Sequence, residues 1–430
     1  MYYIFVVLGA PTAPASALAT LGEFTANARP ITAKHVDAQL RSIVACIGFA
    51  ALTEMGEVPT FLRPVLTAPC TDLRDALALA DALGTLAAAS DLDPLDRGPA
   101  HFAVPCGVAA FVLANLRSLP AMCVVEAVSI GAECGSRLRR AVTTVRPGVG
   151  FHSPGTFGLF ATAATCARLL GLDARATTEA IAISLTRAAG LALNSAQTRI
   201  GLTHFGAAAS HGLEAALLAA DGWTASHRLD LAYQTLFGTE GDFSKLDAAD
   251  FTTASRPPAF KHYACNIYIN IALRALFRLG PTDGPIEVVL PSVGHLDNPR
   301  PTDVRQLRNS VQGAVAAAAL HGPSYRAFAA STLRIGGDAL QRRIASVSVR
   351  LDEARSTSLD DARVDVTTDA GTESASAAEL GPWTAPDLAR LRGGLERETT
   401  SWADRLFAAD PLASYNAALR QMKTEQEARS

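Results

Sequence analysis

Between about residues 16 and 254, apolar side chains recur at three- and four-residue spacing, in runs broken by Gly or Pro. That period predicts helices over 36–52, 72–89, 107–116, 124–143, 158–170, 177–193 and 204–220. Several of these runs are apolar on nearly every side, so they must be interior and the helices must stack in more than one layer. Gly171 and Gly222 each follow the last periodic residue, where a C′ glycine ends a helix. Beyond Pro257-Pro258 the period changes. Residues 286–290, 344–351 and 362–368 read as short strands, with helices over 267–279 and 311–320 between them. Segments 385–392 and 402–420 return to helical spacing, and 369–378 is a loop rich in Ser, Thr and Asp. The pattern predicts a mainly α chain. Residues 1–258, completed by 391–430, form an all-helical domain, and 259–390 form an inserted, smaller α+β lid. No repeat of fixed period is present.

The 430 residues are 49% hydrophobic and 18% charged, with a net charge of −3. This length predicts two cores, and the abundance of alanine favours helix throughout. No dense Lys/Arg tract is present, which removes nucleic acid as a partner because phosphate neutralisation needs one. Lysine occurs only at Lys34, Lys245, Lys261 and Lys423, every other cation being Arg. Seven cysteines, widely spaced and without a Cys-x-x-Cys pair, predict reduced thiols in a cytoplasmic protein. A disulfide framework, a zinc site and an iron–sulfur cluster are all disfavoured by that spacing. The apolar start Met1–Leu8 has no basic residue before Arg29 and is too short to span a bilayer. No later run escapes interruption, so no membrane partner is expected.

Three loops concentrate polar residues. Ser90-Asp91-Leu92-Asp93-Pro94 runs on through Asp96 to His101, between two very apolar segments. It reads either as helix capping in a solvated turn or as a presentation loop for catalytic groups. Asp-x-Asp could ligate a hard cation, but the remaining oxygen ligands of a calcium loop are missing. Arg146-Pro-Gly-Val-Gly-Phe-His152-Ser-Pro-Gly-Thr156 is rich in Gly and Pro. Thr156 is a candidate N-cap, and the amides of the helix start that it caps would favour a carboxylate. Asn194 to His211 places Arg199, His204 and His211 ahead of and within a helix of small residues, a pattern that also serves close helix packing. Neither a Walker nor a Rossmann loop is present.

Taken together these segments resemble the MmgE/PrpD family, which includes 2-methylcitrate dehydratases, cis-aconitate decarboxylases and iminodisuccinate epimerases. Gly150-Phe-His-Ser-Pro-Gly-Thr-Phe-Gly158 is similar to that family's Gly-Phe-His-x-Thr-Gly-Thr-x-Gly signature. Gly84-Thr85, Asp91-Leu-Asp93 and His101…Pro105 resemble its Gly-Thr-x-x-His-x-x-Asp-Phe-Asp-Asp…His-Pro stretch. Ile130-Gly-Ala-Glu133…Arg137-Leu138, Thr203-His204-Phe-Gly206 and Phe260-Lys261-His-Tyr263-Ala-Cys265 follow in the family's order. The resemblance implies a helical domain with an α+β lid, a homodimer, and a cofactor-free, metal-free site for a small polycarboxylate between the domains.

Carried over residue by residue, it implies His152, Asp91 and His101 as the acid/base set. His204, Arg199, Lys261, Asn266 and Asp93 are implied as substrate-binding residues. In this reading His152 is the principal acid/base, Asp91 orients it or His101, and His204 with Arg199 holds a carboxylate. The chain also departs from the family. Ala88, Pro94 and Leu95 replace polar positions of the aspartate loop, and Gly201 stands where the family has Lys. Asn266 stands where decarboxylases have His, and Asn309-Ser-Val-Gln-Gly313 replaces Phe-Ser-x-Pro-Tyr. The expected activity is that of a lyase, a dehydratase or decarboxylase, working by proton transfer next to a carboxylate. An isomerase or epimerase, or a non-catalytic homologue, stands as the alternative.

Overall fold

The computed structural model describes residues 13–29, 34–98, 100–143, 150–193, 198–239, 241–247, 258–329, 334–384, 386–387 and 416. The apolar start, the helix expected over 402–420 apart from residue 416, and the completion of the helical domain by 391–430 lie outside the rest of that set, as does 385–392 apart from residues 386–387.

Nine helices precede residue 258: α1 Ala13–Asn27, α2 Lys34–Thr53, α3 Leu73–Ala89, α4 Ala103–Leu116, α5 Ala121–Ala141, α6 Phe157–Leu169, α7 Ala174–Leu185, α8 Ile200–Ala220 and α9 Leu229–Phe237, counted among the described residues. Their ends follow local chemistry. Asp72 caps α3 by accepting from the amides of Arg74 and Asp75 at 2.8 Å each, and Asp173 caps α7 from Ala176. Gly171 and Gly222 take φ of +67° and +82° and close α6 and α8 as C′ residues. α4 and α6 are buried almost end to end, as their all-round apolar sequence demands, and α3, α4, α5 and α8 pack around them.

The second part contains α10 Ile267–Leu279, α11 Val304–Arg308, α12 Val311–His321 and α13 Asp338–Ala345 with a four-stranded mixed sheet. β1 Ile286–Pro291 runs parallel to β2 Val347–Asp352 and antiparallel to β3 Arg363–Thr368, which forms a hairpin with β4 Gly371–Ser376. The strand order is β2-β1-β3-β4.

Four expectations change. The segment 344–351 is split, with α13 ending at Ala345 and β2 starting at Val347, because a short amphipathic helix and a strand abut there. β4 occupies the stretch expected to be a loop. Only Ala375 of its six residues is a buried apolar side chain, so its pairing to β3 left no period-two signal. α7 stops at Leu185 rather than continuing to 193, because 186–192 turns back onto the His152 loop. Three bonds hold it there: Ala189 N–H to Gly155 O, His152 N–H to Gly190 O and Ala192 N–H to Gly150 O. Finally, the buried apolar residues form one connected cluster from Leu18 to Leu380, not two cores. Leu92, Leu95, Ala259 and Tyr263 belong to it, and the backbone bridge between Leu95 and Ala259 joins the two parts there.

α3 and α8 cross at glycines. A Cβ on Gly84 would lie 2.8 Å from Gly206 Cα, and one on Gly206 would lie 2.2 Å from Asp81 O. Gly→Ala inside a helix ordinarily stabilises by about 1 kcal/mol. Here Gly206→Ala is expected to destabilise by about 1–3 kcal/mol through overpacking. Urea denaturation gives the sign, and a variant as stable as the parent would refute the close crossing.

Candidate active site

The site begins where α3 ends. Ser90 folds its hydroxyl back to Ala87 O at 2.8 Å, and Asp91 takes φ +54°, a left-handed conformation that Asp tolerates better than most side chains. The chain then extends, and Leu95 pairs with Ala259 in antiparallel fashion through two 2.9 Å hydrogen bonds. Two residues back from Leu95 and two on from Ala259, antiparallel register sets Asp93 opposite Lys261. The ammonium of Lys261 donates to Asp93 Oδ1 at 2.8 Å and to Asp91 Oδ1 at 2.5 Å. Both Lys261 and Asp93 are almost fully buried. The Asp-x-Asp element therefore holds an ammonium.

The second oxygen of Asp93 hydrogen-bonds Nδ1 of His101. Burial alone would push the Asp93 carboxyl up, but Lys261 and His101 outweigh it and hold the group well below the usual carboxylate range. Burial likewise opposes the charge of Lys261, yet the two carboxylates raise its pKa above the ordinary lysine value. Cys46, next to this cluster, is pushed up by burial to about 12 and remains a thiol.

The His152 loop approaches from the other side. The His101 amide donates to Ser153 Oγ at 3.1 Å, and a Cβ on Gly158 would meet His101 O at 2.7 Å. Thr156 stands at the N-cap position of α6, but its hydroxyl caps no amide and instead lies 3.4 Å from Ser153 O. The first turn of α6 is buried, so the carboxylate-binding helix start expected there is not available to a ligand. His152 Nδ1 lies 3.0 Å from His204 Nδ1, on the first turns of α8. At that contact one imidazole is the Nδ1–H donor and the other the acceptor. His101 and His152 pack edge to face with centroids 5.8 Å apart, and Phe205 backs both rings at 5.1 and 5.7 Å. Burial first, then the neighbouring His101, His204 and Arg305, hold His152 well below its ordinary 6.5. Burial and then Arg305 lower His204.

Of the eight sequence-derived residues, the structure brings Asp91, Asp93, His101, His152, His204 and Lys261 into one chain of contacts. Asp91 reaches Lys261, and the carboxylate that orients His101 is Asp93. Arg199 does not join them, since its side chain is two-thirds exposed and pairs with Glu57 at 3.0 Å. Asn266 caps α10 at the Tyr268 amide and donates to Asn309 at 3.4 Å. Three residues were missed. Asn270 clamps the Lys261 segment, its Oδ1 accepting from the amides of His262 and Tyr263 and its Nδ2 donating to the carbonyls of Tyr263 and Cys265. Arg308 donates to Ala89 O, Phe328 O and Glu54, tying α11 to the end of α3. Arg305, one turn before it, is the cation acting on both His152 and His204. A polar residue inside an apolar helix flagged Asn270 in principle. The two arginines carry no local signal.

Residues 60–237, which include both the aspartate loop and the His152 loop, match the family model described as the MmgE/PrpD N-terminal domain. Over these residues the chain is similar to the MmgE/PrpD family. Similar relatives are the cis-aconitate decarboxylases of Mus musculus, 29% identical over 194 residues, and of Homo sapiens, 28% identical over 193. Each match covers 40% of this chain and 39% of the relative, so it spans about two fifths of the curated relatives' length. Asp91, Asp93, His101, His152, Arg199 and His204 lie inside the matched domain, whereas Lys261, Asn266 and Arg305 lie beyond it. Among the described residues no helix is long and apolar enough to cross a membrane.

Lys261→Met would strand the buried carboxylate of Asp93 and the part-buried one of Asp91 and is expected to cost about 3–5 kcal/mol. The depressed Asp93 pKa means its contribution is full above the ordinary 3.8 and fades as pH falls through the folded value. The raised Lys261 pKa means its contribution is full below the ordinary 10.5 and fades as pH rises through the folded value. Urea titrations from pH 3 to 9 should show a stability gap between parent and variant that is flat above pH 5 and narrower at pH 3. A gap of constant size down to pH 3 would refute the ionised pair.

Proposed function

We propose that the protein is a cofactor-independent lyase acting on a small di- or tricarboxylic acid by proton transfer at the carbon next to a carboxylate. The observation that carries this reading is the wall of three imidazoles, with His101 fixed by a buried, ionised Asp93. A carboxylate on Nδ1 fixes the ring and its tautomer, leaving Nε2 for proton transfer, and it stabilises the imidazolium that forms. His101 is then the principal proton carrier. His152, held neutral by its surroundings, is the second acid/base and passes its proton to His204 through the shared Nδ1 contact. Asp91 and Lys261 act through Asp93 as positioning residues. With Asp91 and Asp93 already bonded to one ammonium, this set is suited to orienting imidazole rather than to collecting a further cation.

The matched relatives are decarboxylases by name, which favours cis-aconitate and its neighbours as first substrates. Loss of carbon dioxide leaves a carbanion that an imidazolium can protonate, and loss of water begins with an imidazole taking the proton next to the carboxylate. A specific observation keeps isomerisation as a second reading. Asn266, where a proton donor is expected by resemblance, is an amide spent on capping α10 and offers no proton to a leaving group. A homodimer in the cytoplasm, implied by the resemblance, completes the proposal.

Incubation of the protein with short polycarboxylates in deuterated water, followed by NMR and mass spectrometry, tests it. Release of carbon dioxide or water is expected, and His101→Gln should lower kcat by about 10²–10⁴. Wash-in of deuterium without mass loss supports isomerisation instead, and silence with every acid refutes catalysis. Because His152 and His204 are both held below 6.5, the acid limb of kcat/KM should fall below that pH. A limb centred at or above 6.5 would exclude these two histidines as the base.

A further inference from the structure

His262, beside Lys261, is buried to 3% exposure and takes no part in the acid/base chain. Its amide is held by Asn270 on α10, and its ring meets the stretch that follows β4. Nε2 lies 2.9 Å from Gly381 O, and Nδ1 lies 3.2 Å from Asp387 Oδ1. A carbonyl only accepts, so Nε2 carries a hydrogen, and a neutral ring would then set the Nδ1 lone pair against a carboxylate oxygen. Both contacts are attractive only when both nitrogens carry hydrogen, as in an imidazolium. The other oxygen of Asp387 accepts from the Thr384 amide at 2.9 Å and its hydroxyl at 2.6 Å, while the Asp387 amide donates to Thr384 Oγ1 at 3.4 Å. This capping box favours the ionised carboxylate. Between the two groups the proton belongs on the imidazole, the stronger base. The neighbouring charges are engaged elsewhere, Lys261 with Asp91 and Asp93, and Glu379 with Arg278 on α10.

The same stretch clasps the Lys261 segment at two further points. The Phe260 amide donates to Leu380 O at 2.8 Å, and Trp383 Nε1 donates to Lys261 O at 2.9 Å. His262 adds two fastenings, and among these contacts they alone need an added proton. We propose that His262 is a positioning residue, a buried imidazolium whose second proton closes residues 380–384 and Asp387 over the Lys261 segment and so keeps the ammonium in register with Asp93. Loss of that proton leaves Nδ1 and Asp387 facing each other as two acceptors, and the clasp opens on that side. By linkage, the clasp is complete below the ordinary histidine value of about 6.5 and fails as pH rises through the point at which the folded ring gives up its proton.

Histidine-selective ¹⁵N NMR on the full chain reads the ring directly, with the His262 signals assigned by their loss in His262→Gln. At about pH 7.5, where an ordinary histidine has lost roughly nine-tenths of its second proton, both His262 nitrogens should carry hydrogen. Asp387→Asn offers Nδ1 a donor in place of a carboxylate, so in that variant the ring should be neutral, with its hydrogen on Nε2. The indole N–H signal of Trp383, assigned with Trp383→Phe, reports on the Lys261 carbonyl. It should move as rising pH strips the proton from the parent ring, and stay in place over the same range in His262→Gln. Near-UV circular dichroism checks that each variant folds. Should Asp387→Asn unfold, the parent ring decides the protonation and His262→Gln decides the coupling. A neutral His262 ring in the parent at that pH, an imidazolium that persists in folded Asp387→Asn, or an indole signal that stays put while the parent ring titrates overturns the proposal. None of these readouts needs turnover, so their outcome is independent of the lyase reading.

Discussion

The Lys261 ammonium between Asp91 and Asp93 is the contact on which the rest of the site depends. Burying three charges is expensive, with an effective penalty of several kcal/mol per ion even after relaxation. The cost is offset only because each partner is well placed. Antiparallel register at Leu95 and Ala259 sets Lys261 against Asp93, and the left-handed turn at Asp91 brings the second carboxylate to the same nitrogen. Trp383 and Asn270 then pin the Lys261 backbone, through its carbonyl and through the amides that follow. Without the ammonium, Asp93 would be pushed by burial toward its neutral form, and His101 would lose the anion that fixes its ring. One ion cluster therefore joins the helical part to the α+β part and holds the ring of the first histidine in place.

The second and third histidines have different neighbours. His101 meets an anion, while His152 and His204 meet burial, each other and a guanidinium. Neighbouring imidazoles are thus held in two different electrostatic environments. Their closeness depends on glycines at two crossings. Gly84 against Gly206 lets α8 approach α3, and Gly158 lets α6 approach the His101 carbonyl. A methyl group at either crossing would force the packed elements apart.

Much of the helical half was legible in the sequence because its signals are local. Asp72, Gly171 and Gly222 mark helix ends by their own hydrogen bonds and dihedral angles, and α4 and α6 are apolar all round. The aspartate loop, the His152 loop and His204 were visible as polar residues where the pattern is otherwise apolar. What was not legible depends on tertiary pairing. β4 is a strand because β3 lies beside it, and α7 stops at Leu185 because the His152 loop takes up the following carbonyls and amides. The same holds for roles. Asp91 and Asp93 look alike in sequence, and only the Leu95–Ala259 register gives one of them to His101. Arg199 stands close to His204 along the chain, but Arg305 is the cation acting on it, from 101 residues further on.

The division of the site between matched and unmatched sequence follows from this. All three histidines and both aspartates fall within residues 60–237, whereas Lys261, Asn270, Arg305 and Arg308 come from the second part. On the proposed reading, the residues that move protons belong to the domain that matches the family model, and residues that position them come from outside it. Proton transfer next to a carboxylate makes the same demand of any acid, so the first set tolerates little change. The second set is carried on short elements such as the five-residue α11, which Arg308 ties to the end of α3 and to Glu54.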